Sequence, residues 1–478
     1  MKNKTQKLSR ENVIDCIFLA AVFVFIFLWA YIAPLNASPD ESMRYDIVEF
    51  LMQNGTLPDG RDEAIRHGIW GISYAFNPIT PYIVGAWFAK FVQIFTNSFH
   101  ATLMAARMVN IILGTLTAYF TLKIGKRLFS KDVAYFMAIL VSFLPGVVFV
   151  NSYINADAMA LFASSWIIYC WVKAMQEGWS NRLCVELAIA LAVCTLSYYN
   201  AYGYLMCSAL YFAGMFCKCQ EKQWDYQQML KKGCLILFVV FLLAGWWFIR
   251  SAILYDGDFL GMKTSSMYAE RYALEEYKPS NRQTPQSLGM SLIGMMFWIP
   301  GDWMYNWMGT VAASFVGTFG FMNIFMPENW TKGYWLVFFI GALGVLWNWK
   351  RFFRVAIQRV SKEIIPDEDS KKIVLTFSKN KVWNTENWLR ICLVFAGLIP
   401  CVLLLYYAYT SDFQAQGRYL MPGCIPLMYF ITLGFDTILK KIVKNERIRN
   451  WIFRILSMVW IISAVLVYKY VYAVNYVM

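Results

Sequence analysis

Charge is scarce in this chain. Only 15% of its 478 residues are Asp, Glu, Lys or Arg, against roughly 25% in an ordinary soluble domain. That deficit excludes a soluble enzyme of ordinary size. Histidine is scarcer: His67 and His100 are the only two, too few for a zinc site built on imidazole. Eleven cysteines are present, but no C-x-x-C pair occurs and the two long outer segments defined below hold none. A disulfide framework on the exposed parts is thereby excluded. No internal repeat is visible. No stripe of Lys and Arg alternates with stacking aromatics, so the net charge of +13 is not a nucleic-acid footprint.

What fills the space is apolar sequence, 59% of the residues. Runs long enough to cross a bilayer, about 20 residues, recur from end to end. The sequence predicts an all-α polytopic membrane protein with about 11 crossings, near 13–35, 100–122, 133–151, 156–176, 183–199, 201–217, 233–254, 333–349, 391–409, 419–438 and 451–472. The stretch 79–95 is broken by prolines and Lys90 and is expected to be interfacial or re-entrant. The first run is too long for the apolar core of a signal peptide and lacks a small-x-small cleavage site, so it reads as an uncleaved helix. With the N-terminus in the cytoplasm, the inner loops hold about 29 Lys and Arg and the outer loops about 10, which sets the orientation and leaves the C-terminus outside.

Two outer segments are large, 36–98 and 256–332. They divide the chain into an N-terminal module (1–255), an outer or interfacial loop (256–332), and C-terminal helices (333–478) with a cytoplasmic connector at 350–390. In the first outer segment Met43, Ile47, Phe50 and Leu51 recur at helical spacing and Asn54-Gly55 closes the run, which predicts an amphipathic helix in the interface plane. Its start, "SPDES", reads as a cap: Ser38 as N-cap, Pro39 in the first helical position, and Glu41 closing an S-x-x-E capping box. Asp40 is the residue that cap does not need. The later segment turns aromatic and glycine-rich around Asp302, as at a membrane boundary.

Polar residues collect on the outer side of the predicted bundle. Asp40 and Glu41 follow the first crossing, and Arg107 lies roughly 10 Å into the second. Asn155 and Asp157 open the fourth, Tyr198, Tyr199 and Asn200 sit in the turn after the fifth, and Arg250 ends the seventh. Gln416, Arg418 and Tyr419 begin the tenth. Buried intramembrane charge is expensive and normally faces a bundle interior or water, so one shared cavity is expected. Simpler roles stand beside this: the arginines could snorkel to headgroups, Asn155 and Asp157 could cap a helix, and the tyrosines could be interfacial.

The stretches "SPDES", "LPGVVFVNSYINADAMAL", "WFIRSAILYDGD", "SFVGTFGFMNIFMPENW" and "QGRYLMP" occur in order over most of the chain. Together they resemble the GT-C superfamily of membrane glycosyltransferases, and in particular an uncharacterised bacterial family of polytopic proteins related to it. "FNPITPYI" departs from the more usual tyrosine-proline-proline stretch, and Val316 stands where an aromatic is common. The resemblance implies inverting transfer of a hexosyl or pentosyl group from a polyprenyl-phosphate donor to a glycan, lipid or protein acceptor at the outer face of the cell membrane. It casts Asp40 as catalytic base with Glu41 as its partner or second acid. Arg107, Arg418 and Arg250 become the donor-phosphate clamp, and Asn155, Asp157, Gln416 and Tyr419 the residues that orient sugar or acceptor. A divalent cation (Mg or Mn) between acids and phosphate is compatible with this, though no ligand set demands one. The alternatives are a flippase for lipid-linked glycans and a non-catalytic envelope-assembly protein. A flippase would line both faces with polar groups, whereas these gather near one.

Overall fold

The computed structural model describes residues 2–216, 225–301, 303–355, 360–367, 370–377 and 384–476. Asp302 and the Cys217-Lys218-Cys219 run lie outside them. Helices α1 (Lys2–Ile32), α2 (Glu41–Asn54), α3 (Thr80–Gln93) and α4 (Phe99–Leu128) open the chain. The second group is α5 (Lys131–Ser142), α6 (Pro145–Val150), α7 (Asp157–Glu177), α8 (Asn181–Thr195), α9 (Gly203–Phe216) and α10 (Tyr226–Leu254). The second outer segment carries α11 (Met262–Tyr272), α12 (Leu292–Phe297), α13 (Trp307–Gly317) and a two-residue hairpin, β1 (Thr318–Phe319) with β2 (Ile324–Phe325). Beyond it come α14 (Glu328–Trp347), α15 (Trp349–Phe353), a hairpin of β3 (Val360–Asp367) and β4 (Ser370–Phe377), α16 (Thr385–Thr410), α17 (Cys424–Ile442) and α18 (Glu446–Val467).

Helix ends follow local chemistry. Ser98, Ser180, Asp225, Asn306, Asn384 and Asn445 each accept a backbone N–H of the first turn, satisfying donors that the helix cannot. The amphipathic helix falls where the periodicity puts it: α2 ends at Asn54, and Gly55 closes it in the left-handed region at φ 67°.

Among the described residues eight helices are long and apolar enough to cross a membrane, against the eleven expected. The other three expected crossings become shorter helices. Residues 133–151 break at Pro145 into α5 and α6, while α8 and α9 have 15 and 14 residues, or roughly 21–23 Å each at 1.5 Å per residue. These short helices are flanked by long ones: α8 packs on α7 and α10, and α9 on α16. A helix enclosed by others need not match the lipid thickness itself, and apolar length cannot separate the two cases. The stretch at 79–95 is helix α3, with Pro81 in its first turn, packed on α2 and α4.

The main core runs through α1, α5, α6, α7, α17 and α18. Near the end of α1 Trp29 stacks on Tyr472 with ring centroids 4.1 Å apart, and Phe149 and Phe319 close around them. A second cluster seats α2 and α3 on α4 through Ile47, Val48, Tyr82 and Ala106. Two glycines let a third region close up. A Cβ on Gly146 or on Gly417 would collide with the backbone of Phe315, so α6, α13 and the turn before α17 meet backbone to backbone. That contact sets the depth at which Arg418 enters the site.

Candidate active site

The link between α1 and α2 is bent by two left-handed residues, Asn36 (φ 62°) and Asp40 (φ 59°). Asp and Asn are the non-glycine residues that adopt this region most readily. The Asn36 carboxamide oxygen accepts from Ser42 Oγ at 3.0 Å and steadies the turn. This geometry corrects the capping-box reading of "SPDES". The N-cap position belongs to Asp40, whose side chain caps nothing. Ser38 is buried with an unpaired hydroxyl, and the Glu41 carboxylate points away from the helix start.

Glu41 is taken up by Arg107. Nε and Nη2 of Arg107 donate to Oε1 and Oε2 of Glu41 at 2.8 and 2.7 Å, a two-pronged pair with both side chains at 0% exposure. The remaining guanidinium protons go to the carbonyls of Ala30, Ala33 and Pro34 at 2.6–3.0 Å. All five donors of the guanidinium are therefore used. Glu41 also accepts the Ile154 N–H at 3.1 Å. The pair ties the end of α1, the start of α2, α4 and the turn before α7 together. Arg107 has no donor left for a phosphate, and Glu41, at 0% exposure, is closed off from an incoming acceptor.

Asp40 faces the other way. Its Oδ2 accepts from Arg418 Nη2 at 3.0 Å and lies 3.6 Å from Arg44 Nη2, with 27% of the side chain still open to solvent. Both guanidinium groups also reach the Pro39 carbonyl, at 2.7 Å from Arg44 and 3.5 Å from Arg418. Burial pushes the Asp40 carboxyl up, but the charges of Arg418 and Arg44 outweigh it and hold the group down at about 2. Aromatic hydroxyls surround the trio. Arg418 donates to Tyr153 and Tyr419 at 3.3 and 3.1 Å, and Arg44 lies 4.5 Å over the ring of Tyr74. Burial pushes the Tyr74 phenol well up, against the pull of Arg44. The Nε atoms of Arg44 and Arg418 have no partner.

The other expected residues divide. Asp157, at the first turn of α7, is buried within electrostatic range of Arg418, Arg44 and Asp40. Its contact with Asn200 Nδ2 spans 3.5 Å, and that amide also donates to the Tyr419 carbonyl. Tyr419 joins Arg418 to Gln414, to which its hydroxyl donates at 2.9 Å. Gln416 lines a small cavity with Arg418 and Pro39, its buried Oε1 unpaired. Asn155 does not face the cavity. It is fully buried, donates to the carbonyls of Val150 and Tyr153, and accepts the Ala158 N–H. Arg250 lies apart as well, donating to the Leu57 and Pro58 carbonyls at 3.5 and 2.7 Å. Arg44 was missed by the sequence reading, although it sits one helical turn beyond Asp40. An arginine on a helix read as interfacial looks like a surface charge, yet it is 2% exposed.

Beside the site, α10 and residues 195–202 and 259–262 line an open apolar groove of about 790 Å³, formed by Phe241, Phe248, Ile249, Tyr199 and Tyr202 among others. Among the described residues no three His, Cys, Asp or Glu are grouped to hold a metal. With Glu41 taken by Arg107 and Asp40 by two arginines, the two acids do not fit a divalent cation.

The chain has the GT-C fold. Residues 80–247 match the family model of dolichyl-phosphate-mannose-protein mannosyltransferases. Among solved structures the chain is similar to the oligosaccharyltransferase AglB of Archaeoglobus fulgidus, solved with an inhibitory peptide and a dolichol-phosphate. The TM-score is 0.55 at 10% identity, over 96% of this chain and 56% of that one. It is also similar to ArnT of Cupriavidus metallidurans bound to undecaprenyl phosphate, with a TM-score of 0.53 at 12% identity over 94% of this chain and 70% of that one. The chain thus spans little more than half the length of the archaeal enzyme. No curated protein matches it in sequence.

Proposed function

We propose that the chain is an inverting glycosyltransferase that moves a sugar from a polyprenyl-phosphate donor to a hydroxyl or amide acceptor at the outer face of the membrane. The observation that carries this is the Asp40 carboxylate, partly open and shared by Arg418 and Arg44, beside an apolar groove fit for an isoprenoid chain. The ligands bound in both structural neighbours, a dolichol-phosphate and undecaprenyl phosphate, support the donor class.

In this reading the acceptor attacks the anomeric carbon from the face opposite the phosphate. The acceptor–carbon bond forms, the carbon–oxygen bond to the phosphate breaks, and the acceptor proton passes to Asp40. Fixed guanidinium groups stabilise the charge that grows on the departing lipid phosphate. A carboxylate held near 2 is a feeble base as it stands. The donor phosphate and Asp40 compete for the same Arg418 and Arg44, so donor binding draws cationic charge off the carboxylate and raises its basicity when it is needed. Arg107 and Glu41 act as the mount, Arg250 as a clasp on the first outer loop, and Asn155 as the brace of the turn before α7. Asp157, Gln416 and Tyr419 are left to orient sugar or acceptor.

The test is transfer from radiolabelled polyprenyl-phospho-sugars in membranes carrying wild type or Asp40→Asn. A loss of 10²–10⁴-fold, the usual worth of a general base, is expected from Asp40→Asn. Undiminished transfer by that variant removes Asp40 from the chemistry.

A further inference from the structure

The second outer segment changes character halfway. Over 262–284 exposed apolar side chains such as Met262, Met267 and Leu274 are interspersed with charged and polar groups that pair with one another, as Lys278 does with Glu275 at 2.6 Å and Ser280 with the Glu270 carboxylate. Over 288–308 the exposed groups are large and apolar: Ile293 is 71% open, Met304 62%, Ile299 56% and Phe297 55%. Between 285 and 308 the sequence holds one charge, Asp302. Contiguous exposed apolar surface of this kind calls for a cover.

The inner side of this stretch fixes where it lies. Met295, Trp307 and Val311 pack on Leu404 and Ala408, and the Met290 carbonyl accepts from Tyr409 Oη at 2.9 Å. Those positions belong to the last two turns of α16, a spanning helix that ends at Thr410. Six residues of helix rise about 9 Å, so the stretch sits level with the outer boundary of the hydrocarbon. Its exposed face continues the lipid-facing surface of α16, where Val402 and Tyr406 are open. A helix of six residues cannot cross, but it can lie in the interface with its apolar side down.

We infer that residues 288–301 and 303–308 form a wedge seated in the outer leaflet of the bilayer. Its partner is the acyl and glycerol region of the lipid. Trp298 and Trp303 of this wedge flank the ring of Phe413, at 5.6 and 5.3 Å, and Trp307 donates to the Gln414 carbonyl at 2.8 Å. Gln414 in turn holds Tyr419, the neighbour of Arg418. The wedge therefore anchors to the membrane the strap that leads into the site.

The test is spin-label depth in lipid nanodiscs, which needs no substrate and is independent of the proposed transfer reaction. Single cysteines replace Ile293, Phe297 and Met304 in the full chain, with Cys16, Cys217, Cys219, Cys234 and Cys401 made serine. Glu276→Cys marks the water side and Val402→Cys the lipid side. At all three wedge positions oxygen should relax the label more than a water-soluble nickel chelate does, as at residue 402. Any of the three behaving like residue 276 overturns the inference. Monodisperse purification of each labelled variant shows that the fold is kept.

Discussion

Adjacent acids in a first outer loop invite a single explanation, yet Asp40 and Glu41 point in opposite directions, and a pair of substitutions separates their jobs. Glu41→Gln leaves the Arg107 guanidinium at 0% exposure with only the carbonyls of Ala30, Ala33 and Pro34 and one amide oxygen. The amide nitrogen meets a guanidinium donor where an acceptor stood. Breaking a buried ion pair from one side costs about 3–5 kcal/mol, because the partner charge stays buried and unpaired. Asp40→Asn is milder. The carboxyl is held down from its ordinary 3.8 to about 2, a net stabilisation on the order of 2 kcal/mol after the cost of burial. An asparagine oxygen still accepts from Arg418, and asparagine tolerates the left-handed backbone.

Thermal unfolding in detergent, followed by loss of monodisperse protein, reads both costs. Glu41→Gln should be the less stable of the two, and Glu41→Leu combined with Arg107→Met should recover most of its loss, since removing both charges ends the unpaired burial. Asp40→Asn should stay folded and lose transfer. If Glu41→Gln melts like wild type while Asp40→Asn fails to fold, the division of labour is refuted. If the double variant is no better than Glu41→Gln alone, the cost never lay in the unpaired guanidinium.

Arg418→Gln should lower affinity for undecaprenyl phosphate at least tenfold in a binding assay, whereas Arg250→Gln, remote from the carboxylate, should leave it within about twofold. Arg44→Gln should raise the Asp40 carboxyl above its present position near 2, visible as an upward shift of the acid limb of the transfer–pH profile. The pairing of Asp40 is a folded-state carboxyl below its unfolded value, so its stability is fully present above about pH 4 and disappears as pH falls through about 2. Melting temperature should therefore drop over that window in wild type and less so in Asp40→Asn. Gly417→Ala should destabilise and also weaken phosphate binding, because its Cβ would press on the Phe315 backbone and move Arg418.

Polytopic architecture, the end of α2 at Gly55 and the gathering of Asp40, Arg418, Asp157 and Tyr419 were legible because each rests on a one-dimensional signal. These signals are apolar length, helical spacing, and which loop a polar residue borders. What was not legible depends on direction. Arg107 and Arg418 are both arginines near helix ends, and the resemblance casts both as phosphate ligands. The fold separates them, since Arg107 is completely surrounded by carbonyls and by Glu41 while Arg418 meets the part-open Asp40. The same holds one residue apart at Asp40 and Glu41. The left-handed turn at Asp40 sends its carboxylate toward Arg418 and Arg44, and Glu41 inward to Arg107. A regular cap at Ser38 would have placed both acids along one helical turn. The backbone conformation of a single residue thus decides which of two neighbouring carboxylates meets Arg418 and Arg44, and no periodicity in the sequence reports it.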